Sequence, residues 1–148
     1  MKYELPQFLS DMITQETYEH WLRRKAQAHI KRDRRRGNLA ATGESYRNAI
    51  HSAVRESQGC DVYTGEKLDW SIVSQYDNDE SQEKGRQYKR QFALLPTVDH
   101  VGDGTGPANF KIFSWRTNDA KNDLELSEFL ALCRVGLENH NFVVKQQG

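Results

Sequence analysis

Cysteine is nearly missing from this chain, with only Cys60 and Cys133 among 148 residues. Two thiols cannot build the disulfide framework of a small secreted scaffold, and they suit a reducing compartment. Long apolar runs are missing too. No stretch approaches the roughly 18 residues that a membrane-spanning helix needs, and the chain opens with no secretory signal pattern. The expectation is a cytoplasmic protein without a membrane partner. Apolar residues reach only 36% against 28% charged, with a mean hydropathy of −0.86, which predicts a thin core beneath a wide polar surface. The length fits one domain, or one small domain with an extension.

Net charge is also absent, but only on average. Residues 1–58 carry 11 Lys and Arg against 7 Asp and Glu, whereas residues 59–148 carry 10 against 14. A basic part that meets phosphate beside an acidic part that meets metal would divide in this way, as would chance.

Pro6 to Ile13 reads as a short amphipathic opening. A long helix is predicted over 15–36, capped by Thr14, stopped by Gly37 and buried along Tyr18, Leu22, Ala26 and Ile30. Its second half holds eight Lys and Arg around the single acid Asp33. A second helix over 45–57 buries Tyr46, Ala49, Ile50, Ala53 and Val54, and aligns Arg47, His51 and Arg55 on one face. The segment 60–68 reads as a short strand with a Thr64-Gly65 turn. The polar segment 74–90 reads as an insertion or loop with a helical turn near Arg86, Lys89 and Arg90. Two strands should follow, 92–100 and 110–115, then helical pattern from Arg116. The final helix, 126–137, is expected to be capped by Ser127 and to bury Phe129, Leu130, Leu132 and Cys133.

The residues with chemistry to offer lie between Thr97 and Asp123. Asp99 and His100 are adjacent, Asn109 stands nine positions after His100, Asn118 nine after that, and Lys121 follows. Imidazole titrates near neutral pH and can take a proton from water. A carboxylate oxygen suits magnesium or manganese. Neighbours on a strand point to opposite faces, so Asp99 and His100 share one site only if the strand ends or bends there. Gly102, Gly104 and Gly106 make such a bend. The run 102–106 lacks the following Gly-Lys-Ser/Thr of a phosphate-cradling loop and reads as a turn. His20, His29, His51 and His140 lack comparable company and read as surface or core residues.

The Asp-His pair, glycine-rich turn, Asn, apolar strand and Asn together resemble the HNH endonuclease motif. That resemblance implies a ββα-metal core at residues 59–148, preceded by a basic helical extension at 1–58 and ended by a C-terminal helix, an α+β fold. It implies hydrolysis of phosphodiester bonds in DNA, with RNA left open by the motif as a further substrate. Asp99 and Asn118 would hold one divalent cation, magnesium or manganese. His100 would be the general base, and the Asn109 side chain would tether the loop and so orient it. Lys121, and more weakly Arg116, could reach a phosphate. Arg23, Arg24, Lys31, Arg32 and Arg47 are the expected backbone contacts, with Arg34, Arg35 and Arg36 in the same run.

Many members of that family carry two Cys-x-x-Cys pairs around a structural zinc. Here Cys60 stands at the first position, Tyr63 at the second, and Ser114 and Thr117 at the later pair. One thiolate cannot hold a tetrahedral zinc, so no zinc is expected. Val62, Tyr63, Ile112, Phe113 and Trp115 are expected to supply the packing instead. A non-catalytic DNA-binding or protein-interaction module on the same unit is the alternative, and nothing points to a particular partner protein.

Overall fold

The computed structural model describes residues 2–74, 83 and 85–147. Most of the polar segment 74–90, read above as an insertion, lies outside the described residues.

Helix α1 spans Gln15–Arg35 and begins where the Thr14 hydroxyl accepts the Thr17 N–H. It ends at Arg36, and Gly37 follows with φ +97°, a backbone that a side chain would strain. Helix α2 spans Gly43–Ser57, two residues earlier than predicted, because Thr42 and Ser45 cap it reciprocally. The two pack together, and α2 also lies on the sheet. Residues Tyr18, Trp21, Leu22, Ala26, His29, Ile30 and Asp33 line the buried side of α1. Their spacing of three and four puts them on one stripe. Burying each large apolar member contributes about 1.5–3 kcal/mol.

After α2, Gln58 turns left-handed and a single antiparallel bridge joins Cys60 to Lys67, a shorter pairing than the strand expected there. Trp70 fills the space beneath α1: its ring meets Trp21 edge-on at 5.1 Å, and its indole N–H donates to the Gly59 carbonyl. The short helix α3 covers Arg86–Gln91.

Strands β1, Pro96–His100, and β2, Phe110–Ser114, form one antiparallel pair, with Val98 opposite Ile112 and His100 opposite Phe110. Pro96 opens its strand, where a missing N–H costs least. Helix α4, Trp115–Lys121, starts directly from β2 because the Ser114 hydroxyl accepts the Thr117 N–H. It packs on both strands. The fold is therefore mixed helix and strand, α+β. A single core cluster draws Leu9, Trp21 and Ile50 from the N-terminal segment and Trp70, Val98 and Ile112 from the remainder.

Helix α5, Leu126–Asn139, corrects one expectation. It has no buried residue; Leu130 is 51% exposed and Leu132 58%, while Phe129 and Cys133 are only half-buried. Its cap is Glu125, not Ser127, paired with Glu128 in a reciprocal box. The apolar spacing was genuine, but what covers that face among the described residues is narrow: Tyr63 packs on Phe129 at 5.0 Å and meets Cys133, while Leu130 and Leu132 stay exposed. Val62 is likewise exposed instead of helping to fill the core, whereas Ile112 and Phe113 are buried. Among the described residues no helix is long and apolar enough to cross a membrane.

Candidate active site

The end of β1 and the start of the loop after it meet α4 and the last turn of α1. Between them lies a cleft of about 790 Å³ lined by Arg32, Arg36, Asp99, His100, Asn118 and Lys121, among others. Asp99 and His100 share this cleft although they are neighbours in sequence. His100 is the last residue of β1, and the chain leaves the strand after it.

His100 is buried, 5% exposed, and both ring nitrogens have partners. Nδ1 lies 2.6 Å from Asp33 Oδ2, and Nε2 lies 2.8 Å from the Pro107 carbonyl oxygen. Phe110 and Tyr46 pack against the ring, with centroids 4.6 and 5.6 Å away. Asp33 is completely buried; the Tyr46 hydroxyl also donates to its Oδ2 at 2.6 Å. Among the described residues its Oδ1 has no hydrogen-bond partner. The contact with Asp33 pushes the Tyr46 hydroxyl pKa upward, although burial is the larger cause.

The loop from Val101 to Asn109 is tied down by Asn38, just beyond α1. Its side-chain amide donates to the carbonyls of Gly104 at 2.9 Å and Gly106 at 3.2 Å. Gly104 has φ +90°, and a Cβ there would stand 2.5 Å from Asp33 Oδ1, so only glycine fits. Asn109 contributes through its backbone, its carbonyl accepting the Val101 N–H, while its side chain is exposed. The two contacts that orient His100 come from Asp33 and Pro107. Thus the tethering and orienting task that the resemblance gave to the Asn109 side chain is carried by Asn38 and Asp33.

Lys121 requires a correction. It is 3% exposed, and its ammonium lies 3.3 Å from Asp99 Oδ2 and 2.6 Å from the Leu124 carbonyl. A cation so enclosed is an internal counter-ion for Asp99 and is not free to meet a phosphate. Arg116 is exposed and paired with Glu66. Among the cations of α1 and its C-cap, Arg32 and Arg36 face the cleft, and Arg36 donates to the Asp103 carbonyl at its rim. Arg24 donates to the Val73 carbonyl, and Arg23 lies with Arg47 beside Tyr3, away from the cleft. Lys31 lies with Arg34 and Arg35 on a further side of the helix. The expected cations therefore divide among several faces.

A divalent cation is what the resemblance implies for Asp99 and Asn118. Asp99 is partly exposed, its side chain 28% accessible, and both it and Asn118 line the cleft. Among the described residues no group of three or more His, Cys, Asp and Glu gathers to hold a metal. One carboxylate and one amide at an open cleft would suit a hard ion that keeps most of its water. Where family members place zinc, Asp61 ties the chain: Oδ1 accepts the N–H groups of Tyr63 and Thr64, and Oδ2 that of Ser114. Burial alone would raise the pKa of its carboxyl, but the donated hydrogen bonds of Ser114 and Thr64 outweigh it and hold the pKa below the usual value. Cys133 faces the Tyr63 hydroxyl at 3.2 Å.

No protein-family model, curated protein or solved structure matches the chain.

Sequence reasoning missed Asp33, Asn38 and Tyr46. The signal was present for the first: Asp33 is the lone acid in a basic run, seven positions beyond Ala26 on the buried stripe. Asn38 and Tyr46 left no comparable mark.

Proposed function

We propose that the protein is an endonuclease of the HNH type, hydrolysing phosphodiester bonds in DNA with one divalent cation. What carries this reading is the convergence of Asp99, His100 and Asn118 on one cleft beside Arg32 and Arg36. Asp99 and Asn118 would hold the ion, which supplies Lewis-acid stabilisation of charge on the phosphate and the departing 3′ oxygen. His100 takes the proton of the attacking water. Arg32 and Arg36 offer charge-assisted hydrogen bonds to the phosphate, strongest where water is excluded. Other α1 cations add a salt-sensitive attraction for the polyanion.

A second reading is favoured by two observations. His100 has both nitrogens occupied, and Lys121 already neutralises Asp99. A module that only binds nucleic acid would need neither group free. Plasmid DNA incubated with wild type and His100→Ala, each with magnesium, manganese or EDTA, separates the two. Metal-dependent cutting that is lost with His100→Ala and with EDTA supports the nuclease. Binding without cutting on supercoiled, linear and single-stranded DNA supports the module.

A further inference from the structure

Two acceptors face the His100 ring, the Asp33 carboxylate at Nδ1 and the Pro107 carbonyl at Nε2. A neutral imidazole carries one N–H, so it can satisfy only one of them. The carboxylate is the stronger acceptor. It is also fully buried, with Oδ1 unpartnered among the described residues and only the Tyr46 hydroxyl left to Oδ2, whereas Pro107 is exposed, so losing this hydrogen bond would cost more than losing the one to Pro107. The proton of the neutral ring therefore belongs on Nδ1.

We propose that Asp33 is the positioning residue of His100: it fixes the Nδ1–H tautomer and makes Nε2 the nitrogen that exchanges protons with the cleft. The catalytic half of this proposal rests on the endonuclease reading; the tautomer half does not. In the hydrolytic step Nε2 takes a proton from water as the water oxygen bonds to phosphorus. The bond from phosphorus to the 3′ oxygen breaks, and that oxygen leaves with its electron pair and is protonated by solvent. The ring becomes an imidazolium, with Nδ1–H still donated to Asp33. For Nε2 to act it must part from the Pro107 carbonyl, so the segment held by Asn38 has to shift at that point. Helix α1 is thus part of the site, whatever its outer cations contact.

Replacing Asp33 by Asn should swap the tautomer while keeping the shape. The Asn amide can donate to a bare Nδ1, and the proton moved to Nε2 then satisfies Pro107. The test is the imidazole ¹⁵N spectrum of the full chain, free of metal and DNA, with the His100 signals identified by their loss in His100→Gln. Wild type should show His100 protonated at Nδ1, and Asp33→Asn should show it protonated at Nε2. Plasmid cleavage by Asp33→Asn should fall by roughly a hundredfold or more, the range of general-base catalysis. An Nε2–H tautomer in the wild type overturns the proposal even if Asp33→Asn does not fold. Wild-type turnover, or faster, in a folded Asp33→Asn also overturns it. A wild type that cuts nothing removes the endonuclease reading instead, and the tautomer exchange still decides whether Asp33 sets the ring.

Discussion

The Lys121 ammonium stands 3.3 Å from Asp99 Oδ2, on a lysine side chain only 4% exposed. Asp99 is the carboxylate assigned to the metal, so any incoming cation meets a positive charge already in place. Lys121→Met keeps the bulk and removes the charge. Divalent binding to the DNA-free protein should tighten by about tenfold, the effect of one near charge in a partly solvated site. Isothermal titration with manganese measures this. Unchanged affinity would place the ion away from Asp99.

Two asparagines divide the loop between them, and their removal should differ. Asn38→Ala deletes hydrogen bonds to the Gly104 and Gly106 carbonyls at a buried position. That should cost about 1–3 kcal/mol and speed amide exchange across residues 101–109. Asn109→Ala, at an exposed side chain, should change stability by less than about 0.5 kcal/mol. Chemical denaturation together with hydrogen exchange checks both. Equal costs would return the tether to Asn109.

His29 should make the fold acid-sensitive. Its ring is buried, Nε2 meets the Val98 carbonyl at 3.0 Å, and an Arg32 nitrogen lies beside Nδ1. Burial, and then the Arg32 charge, lower its pKa from 6.5 to about 3. Between those values the unfolded chain binds a proton that the folded chain refuses, so stability falls as pH drops through the window. The slope is roughly 1.4 kcal/mol per pH unit for this one group. Denaturation of wild type and His29→Gln from pH 7 to 4 would expose the difference. Parallel curves would clear His29 of the effect.

Much of the fold was legible because local signals agreed with the tertiary result. Thr14 and Gly37 bracketed α1, the alternation of residues 110–114 marked β2, and the stripe through Tyr18, Leu22, Ala26 and Ile30 is buried as expected. That Asp99, His100 and Asn118 line one cleft is what the resemblance to the HNH motif implied. What spacing could not carry was the approach of distant segments. Asp33 meets His100 across 67 positions, and no local pattern encodes such a pair. Lys121 misled for the same reason. On a helix surface it would reach outward, but the turn after α4 brings the Leu124 carbonyl round to enclose it. In α5 the apolar spacing was read correctly, yet burial depends on a second surface, and Tyr63 supplies only a small one against Phe129 and Cys133.

The order of these partners along the chain has a consequence during synthesis. Asp33, Asn38 and Tyr46 leave the ribosome long before His100 and the glycine-rich loop they hold. Until then the nascent α1–α2 pair carries an inward-facing carboxylate that only the Tyr46 hydroxyl can meet, without the His100 ring. Contacts of such long sequence separation close slowly and late. A half-made chain would therefore hold every basic residue of α1 and no organised His100. It could cling to nucleic acid through charge well before it became able to cut.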